Sequence, residues 1–399
     1  MNNRRLFIDN VLDNPHSSVS IKKHNKQHSG IWCLENMLGH FDGFPIGDIY
    51  NVKHLGLFPS EKKYILSFIH MPIINAPYLS QQATDAIKND KDCFLVLFSN
   101  LEYVIEPKTL TANLSKRDIP LDKVLVVTSN TEAHGQTINQ LKYICINFWE
   151  SHSRLHIKTL PGSSIMLPKD RLSSLDTAKR KFLSLNRNVK PHRIWFYYSI
   201  LKTEMQKEGH VSFHLPNVDK ADYESLVPSH WVTKRIPRDL HADYIKTAKR
   251  KMFTRKLDAI DTGHIINYTD TSTQYYHDSV LSYVTESDPF ANFITEKTYK
   301  AIANLHPFFI VGNPEQHTLL RARGYYTFED LFETDSITNY EQAFNSLSKL
   351  KSKDLAVLKQ TIKEKYFDKL LHNQQNFLNR KVSWKAIEDE IVHQFESNS

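Results

Sequence analysis

Two short stretches of this chain carry residue types that can hold a phosphorylated ligand. The first runs Glu286-Ser-Asp-Pro-Phe-Ala-Asn-Phe-Ile-Thr295-Glu296-Lys297 and continues to an apolar Phe308-Phe-Ile-Val-Gly312. It reads as a loop, a helix start, a short helix and a strand closing on glycine. Thr295 suits an N-cap, because its hydroxyl can accept from the free amides of the first turn. Glu296 and Lys297 then fall on that turn, where backbone N–H groups already favour an anion. An acid and a base placed there can bind a sugar hydroxyl and a phosphate together, which is what a nucleotide sugar presents. Tyr283 and Phe293 flank the run, either to stack on a base or sugar or simply to pack. Asn292 and Asn313 add amides nearby.

The second stretch is Phe182-Leu-Ser-Leu-Asn186-Arg187-Asn-Val-Lys-Pro191-His-Arg193. A strand ends at Asn186, a polar turn follows, and Pro191 opens a helix as a good N1 residue. Asn186, Arg187 and Arg193 therefore gather at a strand end and a helix start. Guanidinium groups suit diphosphate oxygens there because they donate in bidentate fashion. The bland reading is that both arginines pair with surface carboxylates.

The first stretch resembles the donor-binding motif of the α1,3-fucosyltransferase-like glycosyltransferases. In that family Glu-Asn-Ser is followed by Tyr-Ile-Thr-Glu-Lys and then by Ala and Pro-Val-Val-Gly. The spacing from Glu286 to Glu296 matches, and Phe293-Ile-Thr-Glu-Lys297 matches almost residue for residue. Two departures stand out: Ser287 replaces the usual Asn, and the segment from Lys297 to Gly312 is about one residue short. The similarity covers roughly residues 180–320 and fades toward the N-terminus. It implies that Glu286 and Thr295 belong to the donor site, that Glu296 binds ribose hydroxyls, and that Arg193 (with Arg187 close behind) and Lys297 neutralise a donor diphosphate. Asn186 would belong to the family's Ser-Asn pair.

An inverting transfer also needs a base to take the acceptor proton. Glu102, just beyond the apolar run Phe94–Phe98, is the first choice; Glu106, Asp42 and Glu150 are rivals. With two cations on the leaving phosphate no divalent metal and no cofactor is expected. The chain has no HExxH, no EF-hand loop, no GxxxxGKS and no GxGxxG. Its 20 histidines invite accidental clusters, and His210 with His214, or His152 with His156, read as surface or packing residues.

The elements that must position these residues follow from hydrophobic patterning. Tyr64–Ile69, Cys93–Phe98, Val124–Thr128 and Tyr143–Asn147 are continuous apolar runs, as strands buried on both faces require. Residues 81–90 and 132–141 are expected as crossover helices. A second alternation follows: strands at Lys181–Asn186, Val211–Leu215, Ser279–Val284 and Phe308–Gly312, with helices at Arg193–Gln206 and residues 314–323. Asp354–Asn379 has helical spacing through Leu355, Leu358, Ile362, Phe367, Leu370 and Leu371. The expectation is an α/β protein of two Rossmann-like doubly wound domains. Residues 1–165 form an acceptor-side domain, 166–180 a linker, 181–345 a nucleotide-sugar domain and 346–399 C-terminal helices. Alternation supports α/β by itself, and the GT-B label follows from the resemblance.

Composition sets the outer bounds. At 399 residues, with 40% hydrophobic and 24% charged, the chain has room for two cores and no signature of disorder. It contains no run of 18 apolar residues and no apolar N-terminal leader, so no transmembrane segment is expected. Three scattered cysteines suit a reducing cytoplasm. The net charge of +7 suits an anionic ligand, or merely a lysine-rich surface. The clusters Lys249-Arg250-Lys251 and Arg255-Lys256 lack interleaved aromatics, so nucleic acid is a secondary partner. The expected function is an inverting, metal-independent glycosyltransferase moving a sugar, fucose by resemblance, from a nucleoside diphosphate to a glycan or other hydroxyl acceptor. The rivals are a transferase acting on DNA or a surface protein, and a binding module that has kept the pocket and lost activity.

Overall fold

Apolar runs become parallel strands in this chain, and the polar turns after them become helix starts. The computed structural model describes residues 5–8, 63–69, 81–99, 107–129, 131–159, 165–186, 190–213, 227–251, 273–289, 292–380 and 384–396. The chain divides into two compact units, one of Met1–His152 with Lys381–Ser399 and one of Ser153–Arg380. Among the described residues no helix is long and apolar enough to cross a membrane.

The first unit holds strands β1 (Arg5–Ile8), β2 (Lys63–Ile69), β3 (Cys93–Ser99), β4 (Val124–Thr128), β5 (Thr137–Ile138) and β6 (Leu141–Cys145). Its helices include α1 (Gln81–Asn89) and α2 (Pro107–Ser115), and α3 (Phe148–Thr159) begins in this unit. The sheet order is β1-β2-β3-β4-β6-β5, parallel except for β5 against β6. Every residue of β4 is buried, as is the Leu95–Phe98 run of β3. Leu95, Leu97, Val124 and Val126 share one core with Leu110 and Leu114 of α2. The helix Trp384–Glu396 returns to this unit: Ile387, Ile391 and Phe395 are buried, and the Phe395 ring lies 4.5 Å from that of Phe94. Lys142 Nζ donates to the Gln394 carbonyl at 2.7 Å.

Residues 132–141, expected as a crossover helix, instead form a 3-10 turn and the short strand β5. The backbone explains it, since Gly135, Asn139 and Gln140 all take positive φ, which a helix interior does not accept. The N-terminal Arg5–Ile8 pairs in parallel with β2.

The second unit is built on α4 (Pro168–Thr177), β7 (Arg180–Ser184), α5 (Pro191–Lys202), β8 (Gly209–Val211), β9 (Ser279–Thr285), α6 (Glu296–Ala303), β10 (Phe308–Val311), α7 (Glu315–Ala322) and α8 (Tyr340–Ser352), with further helical turns between and after them. The sheet order is β10-β9-β7-β8, all parallel. The 166–180 stretch, read as a linker, contains α4. Its Arg171 is fully buried and donates to the carbonyls of Tyr276, Ser279 and Val280 at 3.0, 3.1 and 2.7 Å. The strand expected at Val211–Leu215 sits earlier, at Gly209–Val211. An added Cβ at Gly209 would lie 2.3 Å from the Phe182 ring, so glycine permits the close approach of β8 to β7. In the C-terminal helical run Ile362–Tyr366 is a π-turn, and Tyr366, four residues beyond the buried Ile362, faces inward, while Phe367, expected on that face, is only half-buried.

Candidate functional site at the strand reversal of the second unit

β7 is followed by β8 on one side and flanked by β9 on the other, so the strand order reverses between β7 and β9. In open α/β sheets the crevice beyond the carboxyl ends at such a reversal is where ligands bind. Both recognised stretches leave the sheet there, one where β7 ends at Ser184 and the other where β9 ends at Thr285. Each leads into a helix. α5 begins at Pro191, with Lys190 at its N-cap, and α6 begins at Glu296, with Thr295 at its N-cap accepting from Lys297 N. Two helix N-termini thus start next to the same strand ends.

α5 is an unusually firm platform, because every residue from His192 to Ile200 is buried. A helix buried all round lies inside the unit, and His192 and Arg193 of its first turn are buried with it. The loop after β9 is braced from below. Gly312 takes φ +132, and an added Cβ would stand 3.1 Å from Pro289 Cβ. Gln316 Nε2 donates to the carbonyls of Asp288 and Phe293, both at 3.1 Å, and Asn313 Nδ2 donates to Asn292 Oδ1 at 2.6 Å.

The side chains interlock across the reversal. Asn186 is buried; its Nδ2 donates to Ser184 Oγ and the Ser212 carbonyl at 3.1 and 3.2 Å, and its Oδ1 accepts from Thr285 Oγ1. Glu286, fully buried, turns its carboxyl toward the start of α6. Oε1 accepts from Thr298 Oγ1 at 2.6 Å and from Thr295 N at 3.3 Å, and Oε2 accepts from Thr295 Oγ1. Arg193 Nη2 donates to the carbonyls of Thr285 and Glu286 at 3.1 and 3.2 Å. His192 Nε2 lies 2.8 Å from the Glu286 carbonyl, and since a carbonyl only accepts, Nε2 carries the hydrogen. Lys190 Nζ donates to the Ser287 carbonyl. Lys297 Nζ donates to Ser287 Oγ at 2.8 Å, Thr295 Oγ1 at 3.1 Å and Glu296 Oε1 at 2.9 Å.

Three cations, Lys190, Arg193 and Lys297, therefore meet one loop. Their field is visible on His192, held well below the ordinary imidazole range by burial first, then by Arg193, with Lys190 and Lys297 adding to it and its bond to the Glu286 carbonyl opposing. Burial pushes the Glu296 carboxyl up, but the charges of Lys297 and Lys300 and the bond from Lys297 outweigh it and hold it below its usual value. Buried polar atoms here without a hydrogen-bond partner among the described residues include Glu296 Oε2 and His192 Nδ1. Glu296 Oε2 is an acceptor next to cations, the arrangement that takes a ligand hydroxyl while a phosphate sits on the lysine.

Of the residues expected from sequence, Asn186, Arg193, Glu286, Thr295, Glu296 and Lys297 come together here. Asn186, Glu286 and Thr295 brace the strand ends and the start of α6, while the buried Glu296 and the partly exposed Lys297 form an ion pair on its first turn. Arg187, Glu102, Glu106 and Asp42 lie outside the described residues. Glu150 is buried in the first unit and accepts from Asn147. Tyr283 is a packing residue, its ring set edge-on 5.7 Å from Phe182 and its hydroxyl 2.9 Å from Ser346 Oγ. Phe293 is buried. Lys190 and His192 went unrecognised in sequence, although a cation directly before Pro191 at a helix start was the available signal. No family model, curated protein or solved structure matches this chain.

Proposed function

We propose that this chain is an inverting glycosyltransferase of the GT-B type that moves a sugar from a nucleoside diphosphate to a hydroxyl acceptor, with fucose the sugar its motif suggests. The observation that carries the reading is the convergence of Arg193, Lys190 and Lys297 with two helix starts at the β7/β9 reversal, beside the buried acceptor Glu296 Oε2. A diphosphate answers the cations and a ribose hydroxyl answers the carboxylate. In the transfer, the acceptor oxygen bonds to the anomeric carbon as that carbon's bond to the phosphate oxygen breaks. The electron pair leaves on the diphosphate, and the acceptor proton passes to a carboxylate, the role the sequence offers to Glu102. Preorganised positive charge at the leaving group is the principal rate term. Arg193 supplies it from behind the strand ends and Lys297 from the first turn of α6. Since the chain carries this charge itself, activity is expected to persist in EDTA.

The test is thermal stability against GDP-, UDP-, dTDP- and CMP-sugars, with and without EDTA. A ligand at a hundredfold its Kd stabilises the native state by about 2.7 kcal/mol, so a matching donor raises Tm, and the shift survives EDTA. Absence of a shift with every donor overturns the reading. Lys297→Ala is expected to lose transfer while melting within a few degrees of the parent; undiminished turnover in that variant would remove Lys297 from the mechanism.

A further inference from the structure

Ser287 occupies an unusual electrostatic position. Its side-chain oxygen takes the ammonium of Lys297 at 2.8 Å, and its carbonyl takes the ammonium of Lys190. One neutral, buried residue thus draws two like charges to itself from two different helix starts. The two ammoniums, partly buried and with Arg193 against the neighbouring carbonyls, repel one another more than they would in water, and the Glu296 carboxylate on Lys297 offsets only part of that charge. A doubly charged ligand relieves that repulsion, and oxygens that carry charge are stronger acceptors than the hydroxyl and carbonyl of Ser287.

Building on the donor-site reading above, we propose that Lys190 is a direct ligand of the donor diphosphate, and that Ser287 holds Lys190 and Lys297 as a two-lysine clamp whose ammoniums transfer to separate phosphoryl groups when the ligand binds. The clamp explains why a lysine precedes Pro191, a position where the side chain serves no capping purpose. It also gives Ser287 a use of its own: a short side chain places its oxygen and its carbonyl on two ammoniums at once. Glu296 Oε2, nine-tenths buried and without a hydrogen-bond partner among the described residues, stands on the carboxyl that meets the Lys297 ammonium and marks the place independently as a ligand position. Because the two lysines come from different elements, the clamp favours a ligand with two phosphoryl groups over one with a single group. Donors that leave as nucleoside monophosphates are therefore poorly served.

The experiment is calorimetric titration of the full chain with inorganic pyrophosphate and, separately, inorganic phosphate, at two salt concentrations, followed by GDP and UDP. The parent is expected to bind pyrophosphate at least tenfold more tightly than phosphate. Lys190→Gln is expected to lose about ten- to a hundredfold in pyrophosphate affinity, the span of one hydrogen bond to a charged group, and to bind with a shallower salt dependence. Lys190→Arg, which keeps the charge, is expected to recover most of the loss, which separates a lost ligand from a damaged fold. Pyrophosphate binding by Lys190→Gln equal to that of the parent, with Lys297→Gln impaired, overturns the clamp and leaves the donor-site reading standing. Failure of the parent to bind pyrophosphate, GDP or UDP overturns both.

Discussion

At the scale of single residues, what distinguishes the second unit is how many buried polar groups stand near positive charge. His192 and His306 are both fully enclosed. His306 is lowered by burial first and then by the buried Arg171, against its bond to the Ser279 carbonyl, with Ser282 Oγ 2.7 Å from its Nδ1. The groups facing His192 are Arg193, Lys190, Lys297 and the Glu286 carbonyl. Both imidazoles are neutral in the folded chain and protonate when it unfolds below the ordinary histidine pKa of about 6.5. The unfolded state then binds more protons, so stability is full above about pH 6.5 and falls as pH drops below it, by at most about 1.4 kcal/mol per pH unit for each histidine. Burial pushes the Glu329 carboxyl up, but the bonds from His317 and Thr327 outweigh it and hold it at about 2, so it contributes stability present above the ordinary carboxylate range and lost only as pH falls through that range. Between pH 5 and 6.5 the slope therefore belongs to the histidines. The check is NMR titration of the imidazole carbons together with melting against pH: resonances of His192 and His306 moving with a midpoint near 6.5 would contradict the assignment. Thr295, Glu296 and Lys297 were legible in sequence because an N-cap and its first turn are local grammar. Lys190 and His192 were not, since their partners, Ser287 and the Glu286 carbonyl, lie 97 and 94 residues away along the chain.

At the scale of elements, the site depends on a loop pinned by a glycine. Gly312 packs against Pro289 in a backbone conformation that side chains rarely adopt. Gly312→Ala should cost roughly 1–3 kcal/mol, the range for a strained backbone residue, measured by urea unfolding. It should also weaken pyrophosphate binding, because Ser287 shares the loop with Pro289. A variant of parental stability would show that the loop moves aside without cost. The strands were legible wherever apolar runs were continuous, as in Cys93–Ser99 and Val124–Thr128, because a buried parallel strand has no competing pattern of that length. The helix expected at residues 132–141 failed because positive φ at Asn139 and Gln140 is set by a turn that periodicity does not register. α4 was hidden for a different reason: its inward face is Arg171, Ser174 and Leu175, a single apolar residue beside a charge satisfied by backbone carbonyls, and burial by hydrogen bonding leaves little apolar signature.

At the scale of the molecule, the two units differ in how the chain composes them. Ser153–Arg380 is one continuous segment and contains all of the described donor-site residues, whereas the first unit needs residues from both ends. A fragment of residues 153–380 is accordingly expected to fold and to bind pyrophosphate within about tenfold of the full chain, checked by circular dichroism and calorimetry. A chain ending at Arg380 is expected to keep that binding but to lose stability in the first unit, since Ile387, Ile391 and Phe395 are removed from its core at about 1.5–3 kcal/mol for each fully buried side chain. Equal stability of the shortened chain would show the closing helix to be dispensable. That the first unit has two pieces was invisible in sequence, where the last helix looks like a continuation of those before it.

The return of Trp384–Glu396 to Phe94 and Lys142 also has a meaning in time. A ribosome adds about 5–20 residues per second. The Phe94 side of the sheet is made early, yet its covering helix is translated only after the whole of Ser153–Arg380, a delay on the order of ten seconds or more. During that interval the nascent first unit displays an unfinished apolar surface while the second is already able to close. That interval is when the chain is expected to be most prone to aggregation, through the unit completed last.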